Sequence, residues 1–245
     1  MKNVILITGG SRGLGAKFVE RLASTGENLI YFTYSNSYTE SMELVSKFEG
    51  VKAIKCEQRD EEQIKNCISK IVSECGRVDV LVNNACSTFK PLNFIDTEWT
   101  KFQDLLDVNV KGSFYFMRET AKIMKEQGRG KIINILSSYV LSIPPEKIPF
   151  YITAKHALLG LSKSAAAELV KFGITFNMIS PSLMATDLSS YLPKKYLELY
   201  SQKHPMKKMV STEDVADALE FLISNKSQFM NGVNLPVNGG EAFLC

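Results

Sequence analysis

The first two dozen residues narrow the possible folds more than any other stretch. Val4 to Ile7 is an apolar β-type run, followed at once by Thr8-Gly9-Gly10-Ser11-Arg12-Gly13-Leu14-Gly15 and a helical pattern from Ala16 to Ser24. A strand, a glycine turn and a helix in direct succession form a phosphate site. The glycines let the backbone approach a pyrophosphate, and the helix start aims N–H groups and a positive dipole at it. The glycine spacing is a looser relative of the common dinucleotide fingerprint, so a plain tight turn is the competing reading.

The same alternation runs through the chain. Further strands are expected over 29–34, 51–56, 78–82, 131–136, 174–179 and 232–237, with helices over 61–74, 99–124, 154–170 and 212–224. The last helix has Thr212 as its expected N-cap and acids in its first turn. The expectation is an α/β fold, a single-domain doubly wound (Rossmann-like) parallel sheet of about seven strands covering residues 1–245. The segment 187–210 is polar-amphipathic, with Pro193 and Pro205, and is expected to be a mobile substrate lid.

Composition removes several classes of function. The net charge is only +3, and the basic cluster Lys194-Lys195 to Lys207-Lys208 is interrupted by acidic and apolar residues, which argues against a nucleic-acid partner. Five cysteines (Cys56, Cys67, Cys75, Cys86, Cys245) without metal-type spacing, and two histidines, predict reduced thiols and no metal site. The apolar start is too short for a signal peptide and no apolar run reaches transmembrane length, so a cytoplasmic protein without membrane contact is expected.

The candidate chemistry sits in Phe150-Tyr151-Ile152-Thr153-Ala154-Lys155. A Tyr and a Lys four residues apart share one face of a helix. An ammonium beside a phenol favours the phenolate and lowers its pKa, giving the proton donor or acceptor that alcohol–ketone interconversion needs. Such pairs also occur by chance on helix surfaces, so the pair acquires meaning only from its surroundings. Where an acid would hold ribose hydroxyls, the second strand ends in Tyr34-Ser35-Asn36. With no carboxylate there to repel a 2′-phosphate, and Arg12 in the glycine loop to pair with one, the cofactor expected is NADPH (NADP). Glu57-Gln58 ends the third strand near where an adenine would lie, Asn83-Asn84-Ala85-Cys86 ends the fourth, and Ser137-Ser138 the fifth. Asn109 falls inside the expected 99–124 helix, an unfavourable place for an amide that competes for backbone hydrogen bonds.

With those elements placed, the chain resembles the classical short-chain dehydrogenase/reductases, and within them the 3-oxoacyl-acyl-carrier-protein reductases. The likeness rests on Thr8-Gly9-x-x-x-Gly13-x-Gly15, Asn83-Asn84-Ala85, Asn109, Ser137, Tyr151-x-x-x-Lys155, Thr186 and Val237-Asn238-Gly239-Gly240, in that order, and covers essentially the whole chain. It implies NADPH across the carboxyl edge of the sheet, held by Gly9, Gly10, Ser11, Arg12, Leu14, Tyr34, Ser35, Glu57, Gln58, Asn83, Ala85, Met184 and Thr186 together with Tyr151 and Lys155. It implies Tyr151 as proton donor, Lys155 on the nicotinamide ribose, Ser137 on the carbonyl oxygen (on the order of 3 kcal/mol in comparable sites) and Asn109 anchoring a water linked to Lys155. Alignment from the fifth strand selects Ser137, whereas counting back from Tyr151 selects Ser138.

The chain departs from that family pattern at Cys86 and Ser182, each in place of a glycine, and at Phe172, where carrier-protein reductases often have Arg. Lys171, Arg129 and Lys131 are the charges that could replace it, and Pro144, Pro145 and Pro149 stiffen the loop before Tyr151. The expected activity is reduction of a β-ketoacyl thioester, carrier-protein-bound, in fatty-acid or specialised acyl-chain synthesis. A dehydrogenase of a small free alcohol, sugar or steroid is the alternative, and a non-catalytic dinucleotide sensor a third reading that the intact Asn109, Ser137, Tyr151, Lys155 set opposes. The small residues along the Tyr151 helix suit a subunit interface, so a homotetramer or homodimer is expected.

Overall fold

Val4 and Leu6 face one side of β1 (Asn3–Ile7), Ile5 and Ile7 face the other, and all four are fully buried. A strand apolar on both faces needs a layer of helices on each. The computed structural model describes residues 2–243, so Cys245 lies outside the described residues. The remaining strands are β2 (Asn28–Tyr34), β3 (Val51–Lys55), β4 (Val80–Asn83), β5 (Gly130–Ile135), β6 (Ile174–Pro181) and β7 (Asn234–Val237). They make one seven-stranded sheet in the order β3-β2-β1-β4-β5-β6-β7, every pairing parallel.

Helices α1 (Gly13–Ala23), α2 (Tyr38–Lys47) and α8 (Thr212–Ile223) bury Phe18, Leu44 and Leu219 on one face of the sheet. Helices α3 (Glu61–Cys75), α5 (Ser113–Gln127) and α6 (Pro149–Leu169) bury Ile68, Phe116 and Leu158 on the other. Chain order reverses between β1 and β4, which are neighbours, so a crevice opens at their carboxyl ends. Among the described residues no helix is long and apolar enough to cross a membrane.

Four elements differ from the sequence reading. The expected 99–124 helix is α4 (Trp99–Leu106), a π-helical turn (Asp107–Gly112) and α5. Asn109 lies in that turn and its Nδ2 donates to the Leu105 carbonyl at 3.0 Å, the competition with the helix ladder that its amide makes possible. Helix α6 starts five residues earlier than expected, with Pro149 in its first turn, where a missing N–H costs nothing. The cap of α8 is Ser211, not Thr212; its hydroxyl and the Asp214 carboxylate satisfy each other's backbone N–H groups. Helix α2 was not expected at all, because its polar sequence buries only Ser41 and Leu44.

Candidate active site

The site is built from the phosphate end inward. Thr8, at the carboxyl end of β1, accepts through Oγ1 from the backbone N–H groups of Asn84 and Ala85, both at 3.0 Å. Asn84 in turn donates to the carbonyls of Thr8 (3.1 Å) and Gly9 (3.0 Å). These bonds lock the glycine loop to the end of β4. Gly9 sits at φ 64°, and a Cβ there would stand 2.9 Å from Ala85 Cα; at Gly15 a Cβ would meet the Gly9 carbonyl at 2.1 Å. No side chain caps the start of α1, as is true of most helices here, so what sets this start apart is the glycine loop in front of it. A helix start left uncapped behind glycines that cannot bear a side chain fits the pyrophosphate of a nicotinamide dinucleotide.

From that loop a cleft of about 850 Å³ runs across the carboxyl edge of the sheet. Its lining includes Gly9, Ser11, Arg12, Leu14, Tyr34, Ser35, Glu57, Gln58, Ala85, Ser137, Tyr151, Lys155, Met184 and Thr186. The structure thus brings most of the sequence-selected residues together. Three stand elsewhere. Gly10 packs on Phe32, where a Cβ would come within 2.5 Å of that side chain. Asn83 is buried and donates to Asn134 Oδ1 at 2.8 Å, and Asn134 donates on to Ser162 of α6, so this amide chain ties β4 and β5 to the Tyr151 helix. Asn109 is buried in its π turn, behind the cleft wall.

At the far end of the cleft, Tyr151 and Lys155 occupy successive turns of α6, both nearly inaccessible. The Lys155 ammonium donates to the Ile135 carbonyl at the end of β5 (2.8 Å) and lies 5.7 Å from the Tyr151 ring centroid. Ser137, at the start of the turn after β5, faces the phenol and works against the rise in its pKa. Ser138 points away and donates to Glu241 at 3.3 Å, so the first of the two serines is the one that faces Tyr151.

The electrostatics overturn one sequence-based expectation. Burial drives the Tyr151 phenol well above its ordinary pKa, more than the neighbouring Ser137 hydroxyl lowers it. Burial likewise lowers the Lys155 ammonium. The chain's own residues therefore make Tyr151 a firmly held proton and do not poise it near neutrality. Desolvation of the phenolate outweighs an ammonium one helical turn away. Burial also raises the Cys86 thiol, in keeping with a packed side chain rather than a nucleophile.

Several lining residues carried no sequence signal. Arg59 reaches Glu57 (2.8 Å), Ser87 (3.2 Å) and Asp104 (2.5 Å), bridging the ends of β3 and β4 to α4. Phe89, Tyr139, Tyr191 and Tyr196 make an aromatic wall on the substrate side. Phe89 and Tyr191 belong to loops and Tyr139 to a single 3-10 turn, where no periodicity marks which way a side chain points, and Tyr196 stands in α7 (Lys194–Lys203), a short polar helix of the lid. His204 of the lid is 4% exposed; its Nε2 lies 3.0 Å from the Asn238 carbonyl, while Nδ1 accepts from the Met206 N–H.

Comparison with known proteins agrees with this geometry. A family model described as enoyl-(acyl carrier protein) reductase matches residues 9–241. A 3-oxoacyl-[acyl-carrier-protein] reductase of Staphylococcus aureus is 34% identical over 245 residues, with 98% of both chains covered. The crystal structure of a 3-ketoacyl-(acyl-carrier-protein) reductase from Brucella melitensis complexed with NADH superposes with a TM-score of 0.90 at 26% identity, over 98% of each chain. ElxO with NADP bound superposes with a TM-score of 0.88 at 33% identity, also over 98% of each chain.

Proposed function

The chain belongs to the short-chain dehydrogenase/reductase family, and on that premise we propose that it is an NADPH-dependent ketoreductase that converts a β-ketoacyl thioester, presented on an acyl-carrier protein, to the β-hydroxyacyl form in fatty-acid or specialised acyl-chain synthesis. The observation that carries the proposal is the convergence of Ser137, Tyr151 and Lys155 at one end of a cleft whose other end is the uncapped start of α1. The bound cofactor supplies the hydride. Ser137 holds the carbonyl oxygen by donating to it, and Tyr151 gives that oxygen its proton as negative charge develops. Lys155, fixed by the Ile135 carbonyl, has N–H groups to spare for the cofactor's ribose and keeps positive charge beside the reacting phenol. By the family resemblance, Asn109, buried in the π turn, would anchor the water that links Lys155 to solvent.

The preference for NADPH draws support from Arg12, half exposed at the cleft mouth, and from the NADP held by ElxO. Glu57 does approach Ser35 at 2.9 Å, but Arg59 pairs with it at 2.8 Å and compensates its charge. Delivery by a carrier protein draws on Phe172, whose ring has Lys125 at 4.6 Å and Lys171 at 5.2 Å. Two ammonium groups thus flank the position where carrier-protein reductases often have an arginine. The tyrosines of the cleft lining (Tyr139, Tyr191, Tyr196) favour, as a second reading, a small free alcohol, sugar or steroid. A homotetramer or homodimer is in keeping with α6, which exposes the small residues Ala157, Gly160, Ser164 and Ala167 along one stripe.

The test follows nicotinamide oxidation with a short β-ketoacyl thioester and NADPH, then NADH, in wild type and Tyr151→Phe. Rapid turnover with NADPH, lost by about 100-fold or more in the variant while cofactor still binds, is the expected result. Full turnover by Tyr151→Phe would sink the catalytic assignment, and turnover of a free alcohol, sugar or steroid alone would transfer the function to the second reading.

A further inference from the structure

Outside the cleft lining, one carboxylate gathers three hydroxyl groups from three separate elements. Glu241, in the turn after β7, accepts from Ser182 at the end of β6 (2.5 Å), from Ser138 after β5 (3.3 Å) and from Tyr200 of α7 (Lys194–Lys203) at 2.5 Å. Ser182 and Tyr200 also lie 2.6 Å apart, a close contact between two hydroxyls whose single protons are both directed at the carboxylate. One helical turn beyond Tyr200, His204 is held on the Asn238 carbonyl at 3.0 Å. Both anchors of α7 therefore end on the same short turn, Asn238 to Glu241. One helical turn before Tyr200, Tyr196 lines the cleft. Ser138 follows directly on Ser137, which faces the reacting phenol.

We propose that Glu241 is a positioning residue for ketone binding, setting the lid wall through Tyr200 and the Ser137 turn through Ser138. The proposal rests on reading the cleft as a ketone-reducing site. Hydrogen bonds to an ionised acceptor are stronger than neutral ones, and a single acceptor shared by three donors couples the elements that carry them. Ser182 is required for this: a glycine at that position, the family's usual residue, would leave the end of β6 without a donor to Glu241. The Tyr200 phenol is kept protonated, and so kept a donor, by burial and by the neighbouring carboxylate. Of these four residues only Ser182 lines the cleft, and none belongs to the glycine loop, so the larger effect is expected on the ketone rather than on the dinucleotide.

The experiment uses the full chain with NADPH bound and has two readouts. In hydrogen exchange, Glu241→Gln is expected to speed the amides of residues 194–204 by about ten-fold while those of α6 are unchanged, a local opening. In steady-state reduction of a short β-ketoacyl thioester, KM for the ketone is expected to rise by about ten-fold with kcat within about two-fold and the NADPH dissociation constant unchanged. Tyr200→Phe, which removes one donor and little packing, is expected to reproduce both effects if Glu241→Gln folds poorly. The double variant is then expected to be no worse than the more severe single variant, since the two residues act through one bond network. Unchanged exchange over 194–204, strictly additive effects, or equal weakening of ketone and NADPH would each overturn the proposal. Absence of any thioester turnover by wild type would remove the ketoreductase reading instead, and the exchange result would still decide whether Glu241 holds the lid.

Discussion

The ring of Phe89 lies 5.0 Å from that of Tyr151, with Phe150 at 5.5 Å and Tyr191 at 5.7 Å on its other sides. A residue of the loop after β4 thus forms the wall directly over the proton donor and bridges it to the lid. Phe89→Ala is expected to lower kcat/KM for a short β-ketoacyl thioester by about ten-fold, because the acyl chain loses the surface that orients its carbonyl. Ketones with branched or aromatic substituents beside the carbonyl should lose less or gain. Equal losses across a size series would show that Phe89 only supports the fold.

Burial raises the Tyr151 pKa and lowers that of Lys155. The sign for catalysis follows directly. A phenol with a raised pKa keeps its proton to higher pH, and ketone reduction needs the protonated form. Single-turnover reduction is therefore expected to be flat through neutral pH and to decline only on the alkaline side. Oxidation of the β-hydroxyacyl product, which needs the base form, should climb with pH over the same range. A reduction limb falling already below neutrality would assign the titration to a group other than Tyr151.

Alternating apolar runs located all seven strands to within about two residues, because a strand buried on both faces leaves a continuous signal. Thr8 to Gly15 and Tyr151-x-x-x-Lys155 were readable because their chemistry depends on fixed spacing. Phe89 and Arg59 were not, since they act through contacts with residues far away in the chain. The Tyr151 pKa was misread for a related reason. Spacing shows that Lys155 is near, but the burial that outweighs it comes from a cluster including Leu105, Ile148, Phe150 and Phe89, which only the fold assembles.

If an acidic carrier protein docks beside Phe172, Lys125 and Lys171 supply the attraction that an arginine would. Lys125→Glu combined with Lys171→Glu is expected to raise KM for a carrier-bound substrate by about ten-fold at low salt, and less as ionic strength rises. The same acyl group on a small thiol should be reduced at an unchanged rate. A parallel loss with both substrates would place the damage in the protein and not at a docking surface.

Arg12 stands in the glycine loop, with Asp187 of the lid 3.7 Å away. An exposed pair of this kind contributes little to stability, so its guanidinium is free to turn to a phosphate. Arg12→Ala is expected to raise KM for NADPH by about ten-fold and to leave KM for NADH nearly unchanged. Equal effects on both cofactors would show that Arg12 serves the pyrophosphate and does not read the 2′-phosphate.

Lys131 was a candidate docking charge in the sequence, yet the fold commits it elsewhere. From β5 its ammonium donates to the carbonyls of Leu222 (3.2 Å) and Ser224 (2.7 Å) and to Ser227 Oγ (2.9 Å), where α8 ends. A cation at a helix C-terminus satisfies carbonyls that have no partner in the helix and opposes the negative end of its dipole. Lys131→Met keeps the aliphatic stem but leaves those acceptors half-buried, at a cost of about 1–3 kcal/mol. In a chain of this size each kcal/mol corresponds to about 2–4 °C in Tm. Arg129→Met is the matched control, since Arg129 is 70% exposed and only 3.4 Å from Asp79, and should cost under about 0.5 kcal/mol. Urea unfolding followed by circular dichroism separates the two. If Lys131→Met unfolds like the control and instead raises KM for carrier-bound substrate, its charge faces a partner and the α8 contact contributes nothing measurable.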